Sequence, residues 1–389
     1  MITTGNQKYQ RALNMAHVMR LIRAEAPISR AEISDRLGLT RSTVTSIVTE
    51  LRAARFVTEI ATEAPPESGG RPAVPLDLSP DVAPILGVDL RPDRIAAVVV
   101  NLHGVILASA EVALLPPEQF SDAWVFQAIR AVLRQFDVDE LLGVGIGITA
   151  AVDPLNGRLI QSNLFGAAEC DIVGTTAREL AVPILAENDA NCVAWGERQD
   201  ATRPAGAPPE TVLCLHLARD EGTTSNAVHG FGVGLGMVVD GSMHYGRGFA
   251  AGEIRTSQWT RDDRLQVSAN PADFSDQAEF DRVAFTEVLR DLGVLSSVLR
   301  PDRIRYSGDL LGAHDLIDSI LDNELAGAYI SPNVSECSVE PATYGAHAVS
   351  AGAARMFIQQ LFSVPGVDSR RPVGLPSWGR LCASRQGLA

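Results

Sequence analysis

Cysteine is scarce and unpaired in this chain. The five residues, at positions 170, 192, 214, 337 and 382, share no paired spacing, which indicates neither a disulfide framework nor a zinc motif. Long apolar runs are missing too. None approaches the ~20 residues of a membrane helix, and the longest candidates contain Asp or Gly. The opening stretch, MITTGNQKYQRALN, is polar and lacks a signal peptide's apolar segment. A cytoplasmic protein with no membrane partner is therefore expected.

Positive charge is the third shortage, and it is unevenly distributed. The net charge is −14, yet residues 1–80 carry ten Lys/Arg against eight Asp/Glu, while the remainder carries 23 against 39. A small, slightly basic module joined to a large acidic one fits this asymmetry. A hydrophobic content of 46% with 21% charged residues is that of a globular protein. A length of 389 residues exceeds one ordinary core, so two or three domains are expected.

Residues 1–80 read as a winged helix-turn-helix. Met15, Val18, Met19 and Ile22 recur at helical spacing over about Lys8 to Ala24, and Pro27 ends that helix. Ser29 and Glu32 form a capping box for a second helix, which buries Ile33 and Leu37 and leaves through Gly38. Thr40 caps a third helix, whose Val44, Ile47, Val48 and Leu51 make one buried stripe. Its other face carries Arg41, Ser42, Thr43, Thr45 and Ser46. One Arg with short hydroxyls at a helix start suits reading of a DNA major groove. FVTEI and AVPLDL read as wing strands around PPESGGRP, where Arg71 is placed to enter a narrow minor groove. The alternative is a helical interaction domain whose hydroxyl face is merely wet.

From Pro84 onward, apolar strands alternate with helices: ILGVDL, RIAAVVV, a helix over Ala123–Phe136, LLGVGIGITAAVD, VPILAE, TVLCLHLA and GVGLGMVVDG. An α/β chain follows, and the segment order repeats after about residue 186. Two similar lobes would enclose a cleft. The expected divisions are lobe 1 at 81–186, completed by a helix at about 345–363, and lobe 2 at 187–344. Residues 365–389 have low apolar density and are expected to form a loose tail.

These segments together resemble the ROK family of bacterial sugar kinases and sugar-responsive repressors. The resemblance runs from residue 8 to about 362. It rests on the helix-turn-helix with SGGRP, on GVGIGITAAVDPLNGRLIQSNLFG, on ENDANCVAWGE and on GFGVGLGMVVDGSMHYGRGFAAGEI. It implies a two-lobed, actin-like ATPase fold behind the DNA-binding module. It also implies sugar contacts at Asn163, Asn188, Asp189 and Glu253, with Asp189 standing where the kinases have their general base. A homodimer or homotetramer on a palindromic double-stranded DNA operator would follow, with a sugar as effector.

Three departures from the kinase pattern stand out. The phosphate turn, Asp-x-Gly-Gly-Thr in the kinases, reads Asp89-Leu90-Arg91-Pro92-Asp93 here; Pro92 has no N–H and Asp93 repels phosphate. The second phosphate loop is replaced by HLARDEGTTSNAVHGFGVGLG, whose glycines suit close packing. The zinc-binding His of the family is Thr256, and no Cys lies between 214 and 337. Neither zinc nor ATP is therefore expected as a cofactor, and no catalytic residue is assigned. Asn188 and Asp189 have a plainer explanation as helix caps. An active sugar kinase with a DNA-binding head, or a regulator without a sugar ligand, are the alternatives.

Overall fold

The computed structural model describes residues 7–61, 74–80, 82–198, 208–219, 228–260, 265–325, 337–366 and 372–387. Arg71 and the rest of SGGRP lie outside the described residues.

The head begins with α1 (Gln7–Glu25), which buries Met15, Val18, Met19 and Ile22. Strand β1 (Ile28–Ser29) leads into α2 (Arg30–Leu37). The Ser29 hydroxyl accepts from the Glu32 N–H, and the Glu32 carboxylate accepts from the Ser29 N–H at 2.8 Å. Two orphan donors of the helix start are thereby satisfied. Gly38, at φ 62°, turns the chain toward α3 (Arg41–Ala53), which Thr40 caps through the Thr43 N–H. Strands β2 (Val57–Glu59) and β3 (Pro75–Leu78) form the wing. β1 pairs with β3, giving a three-stranded sheet in the order β1-β3-β2. The sequence reading anticipated two of these three strands.

The first large sheet contains β4 (Ile85–Leu90), β5 (Arg94–Val100), β6 (Ile106–Ala113), β7 (Gly143–Ile148) and β11 (Ile184–Asn188). Helix α4 (Asp122–Leu133) precedes β7 and stops short of the expected Phe136. A small antiparallel sheet of β8 (Ala151–Asp153), β9 (Arg158–Ser162) and β10 (Ala167–Asp171) follows β7, and then α5 (Gly174–Leu180). Helix α6 (Asp189–Glu197) leaves the end of β11 and is buried along its whole length.

The second large sheet contains β12 (Val212–Arg219), β13 (Phe231–Val239), β14 (Ser242–Met243), β15 (Arg303–Gly308) and β16 (Val339–Pro341). Helices α7 (Gln277–Leu299) and α8 (His314–Ser319) flank β15. Both large sheets share one plan. Three strands run antiparallel from the first of the set, and two more join the first strand's other side in parallel. The repeated segment order in the sequence is this duplicated topology.

Helix α9 (Ala348–Leu361) packs on both the first sheet and α6. A Cβ on Gly352 would lie 1.7 Å from the Cys192 carbonyl oxygen, so only glycine admits this helix crossing. The C-terminal segment corrects the loose-tail expectation. Its described residues form α10 (Trp378–Arg385), capped by Ser377, with Trp378 and Cys382 buried. Trp378 meets Phe56 of the head at 5.2 Å and Phe362, just after α9, at 4.9 Å between ring centroids. One large aromatic held between two others compensates for the low apolar density. Head, α9 and α10 consequently share one continuous hydrophobic core.

Candidate functional site

Strand ends of both large sheets meet at the start of α6. Asn188 ends β11 and caps α6: its Oδ1 accepts from the Asn191 N–H at 3.1 Å, and its Nδ2 donates to the Ala150 carbonyl at 3.0 Å. Both ends of this amide therefore serve backbone, as a cap would. Asp189 is buried. Its Oδ2 accepts from the Thr149 hydroxyl at 2.6 Å, and its Oδ1 accepts from the Ala190 N–H at 2.8 Å. Thr149 follows β7, and its carbonyl accepts from Ser162 at 2.7 Å. Asn163, the next residue, is exposed in the turn between β9 and β10. Glu253 reaches the same region through a bridge to Gly234 on β13. Its carboxyl is pushed up by surrounding protein and then by the Asp189 charge.

The glycines of GFGVGLG bring β13 close to α6. A Cβ on Gly236 would lie 2.1 Å from the Ala190 carbonyl oxygen, and one on Gly234 would press Ala190 Cβ at 2.8 Å. Close packing accounts for these two positions, as expected from the sequence.

Other residues surround Asp189. His216, in the apolar strand β12, is 2% exposed, and its Nδ1 lies 2.9 Å from the Ser307 hydroxyl on β15. Its Nε2 is 3.6 Å from Asp189 Oδ2 and has no hydrogen-bond partner. Burial, with the nearby Arg91 charge, pulls its pKa down against the opposing pull of Asp189, Asp89 and Asp309. Sequence reading had no local signal for His216. Its partner stands 91 residues away and is brought opposite by the parallel pairing of β12 with β15.

Arg91 fills the turn after β4. The residue is 7% exposed, with Nε 3.8 Å from Asp89 Oδ2 and Nη1 3.6 Å from Asp309 Oδ2 across the cleft. Desolvation pulls its pKa down, but Asp89, Asp309, Asp189 and Asp93 outweigh that effect and leave it raised. The guanidinium thus bridges both lobes. In the second lobe, the Arg219 N–H donates to Asp309 at 2.6 Å, and the Arg219 guanidinium grips Asp281 of α7 through two 3.0 Å contacts. Residues 220–227 lie outside the described residues.

The position corresponding to the family's zinc-binding His does not suit a metal. Thr256 is buried and donates to Glu287 of α7 at 2.9 Å, while Glu287 also accepts from the Ser268 N–H at 2.8 Å. This donor set holds no imidazole or thiolate, and among the described residues no group of three His, Cys, Asp or Glu side chains could hold a metal ion.

On the head, Arg41, Ser42, Thr45 and Ser46 are exposed on one face of α3, and Thr43 is half-buried. The Thr40 hydroxyl ties Ser42 at 3.0 Å and Thr43 at 2.8 Å, while Arg11 of α1 reaches Ser46 at 3.4 Å. Arg41 extends from the first turn of the helix.

Comparison with known proteins agrees with this architecture. A ROK family model matches residues 85–256, and a winged helix-turn-helix DNA-binding model matches residues 17–58. The xylose repressor of Bacillus spizizenii is 24% identical over 253 residues, covering 64% of this chain and 61% of that protein. The chain thus spans about three fifths of the curated relatives it matches. A crystal structure of a ROK family transcriptional regulator, a homologue of the E. coli MLC protein, superposes with a TM-score of 0.67 at 16% identity, covering 91% of this chain and 97% of that one. A ROK family glucokinase from Streptomyces griseus, in complex with glucose and AMPPNP, superposes with a TM-score of 0.53 at 22% identity over 70% of this chain and 99% of that one. Residues 85–256 of this chain thus match the ROK family model behind a segment, residues 17–58, that matches a winged helix-turn-helix, and the fold is that of the solved ROK family regulator.

Proposed function

We propose that the protein is a sequence-specific DNA-binding repressor that responds to a sugar and does not phosphorylate it. The observation that carries this reading is Arg91. A buried guanidinium, paired with carboxylates of both lobes, fills the turn where a kinase needs converging backbone N–H groups. Asp189 and Glu253 keep a hydroxyl-binding character; Asn188 serves as the cap of α6, and Asn163 stays exposed in the turn between β9 and β10. Without a phosphoryl donor, Asp189 holds a hydroxyl and abstracts no proton. Ligand would favour one arrangement of the lobes, and α9 and α10 would pass that preference to the head.

DNA is read by Arg41 and the hydroxyl face of α3, with Arg71 in the minor groove. A homodimer or homotetramer on a palindromic operator places two such helices about 34–36 Å apart. The names of its repressor relatives motivate sugars as the effector class. Two assays on the full chain test the reading. Incubation with ATP and a hexose and pentose panel should yield no sugar phosphate, and a sugar should shift the melting temperature. Phosphorylation that disappears in Asp189→Ala would instead make the protein a kinase with a DNA-binding head. Loss of the thermal shift in that variant is the expected result.

A further inference from the structure

We infer that two carboxylates of α7, Glu287 and Asp291, form a metal-free clamp on the segment from Glu253 to Ser268 and so position Glu253. The affinity part of its test rests on the sugar-responsive reading; the clamp itself does not.

Glu253 opens a stretch with little regular structure. Strand β13 holds it through the bridge to Gly234 and through the Gly252 carbonyl, which accepts from the Leu235 N–H at 3.0 Å. Beyond it, no described residue up to Ser268 belongs to a helix or strand. The polar groups of such a stretch need partners elsewhere, and one face of α7 supplies them. On the outgoing arm, the Thr256 hydroxyl donates to Glu287 Oε2 at 2.9 Å. On the returning arm, the Ser268 N–H donates to the same oxygen at 2.8 Å, and the Ser268 hydroxyl donates to Oε1. Asp291, one helical turn further along α7, accepts from the hydroxyl of Ser257 at 2.8 Å and from its N–H. Gln266 ties the two arms to β13. Its Nε2 donates to the carbonyls of Ile254 and Val233, each at 2.7 Å, and its backbone carbonyl accepts from the Thr256 N–H at 2.8 Å.

One carboxylate therefore cross-links both arms, which is the part a chelated ion would otherwise play. Clamp and ion exclude each other here. Glu287 is 4% exposed, both of its oxygens are occupied by donors, and those donors are two hydroxyls and an amide rather than imidazole or thiolate. The carboxylate is also chemically required. A glutamine would turn its NH2 toward the Ser268 N–H or the two hydroxyls, and the backbone N–H cannot reverse its role.

Hydrogen exchange on the full chain, with zinc content and sugar titration alongside, tests the clamp. EDTA should change neither the melting temperature nor the protection of the described residues between 254 and 268, and the chain should hold no stoichiometric zinc. Thr256→Val should speed exchange in that segment by about 10-fold or more. It should also weaken by about 10-fold whichever of D-xylose, D-glucose and N-acetyl-D-glucosamine binds the native chain. Thr256→Ser, which keeps the hydroxyl, should bring both readouts to within a few-fold of native, and Glu287→Gln should behave as Thr256→Val. Stoichiometric zinc whose removal lowers protection there would overturn the inference. So would native exchange in folded Thr256→Val and Glu287→Gln, or faster exchange with sugar affinity unaltered. If the buried variants do not fold, Asp291→Ala at the half-buried end decides: exchange at Ser257 should rise, and native exchange there would overturn the clamp. If none of the sugars binds the native chain, the sugar-responsive reading falls, while zinc content and exchange still decide the clamp.

Discussion

At the residue scale, the site is defined by what its carboxylates are already doing. Asp189 accepts from Thr149 and from the Ala190 N–H, and it retains lone pairs toward His216. Asp189→Ala should therefore abolish sugar binding in a thermal-shift assay and leave DNA affinity without sugar unchanged. Glu187, two residues earlier on β11, is fully buried, and burial raises its carboxyl to about 7 despite hydrogen bonds from Asn191 and from the Asn188 N–H. Its ordinary value of 4.5 applies to the unfolded chain, so the folded state holds this proton more tightly. The resulting stabilisation is complete below pH 4.5 and is lost as pH rises to about 7. Melting measured across that window should fall more steeply for the native protein than for Glu187→Gln. Equal slopes would mean that Glu187 titrates normally. On the head, Arg41→Ala should weaken operator binding by about 10-fold or more and relax preference at one base pair, as gel shifts on single-base variants would report.

At the element scale, the two helix caps and α10 hold α3 in place. Thr40→Ala removes the cap of α3 and should cost about 1 kcal/mol in chemical denaturation. Trp378→Ala empties the space between Phe56 and Phe362 and should cost about 3–5 kcal/mol, with the head losing protection from hydrogen exchange first. Elements with strong local grammar were legible in the sequence: the capping box at Ser29 and Glu32, the αL turn at Gly38 and the stripe of α3. The C-terminal helix was not, because its apolar stripe is a single turn, Trp378, Leu381 and Cys382, in a segment otherwise rich in Gly, Pro, Ser and Arg. β8 was read as one strand with β7, and β9 and β10 were missed. Each is short and partly exposed, so burial leaves little alternation to read. Among site residues, Asp189 was legible through the resemblance carried by ENDANCVAWGE. His216 and Asp309 belong to the cleft only through strand pairing across about 90 residues, which no local pattern encodes.

At the scale of the whole molecule, a duplicated sheet topology brings strand ends of both lobes to Asp189, and one continuous core links the first lobe to the head. Helix α6 begins at Asp189 and ends at Glu197, which accepts from the Thr343 N–H at 2.7 Å and from Arg303 at 3.2 Å, fixing it to the second lobe. Helix α9 crosses α6 at Gly352 and continues to Phe362, where Arg23 of α1 lies 4.8 Å over the ring. A change at Asp189 thus has a packed route to the DNA-reading head through discrete helices. On the proposed function, a sugar bound at Asp189 controls DNA binding. The direct measurement is operator affinity of the full chain by fluorescence anisotropy, with duplexes selected from a random pool, with and without the sugar that binds. The expected result is an affinity change of about 5–150-fold in the native protein, absent in Asp189→Ala at equal sugar-free affinity. An operator affinity that no bound sugar alters, or an equal response in Asp189→Ala, would contradict the account.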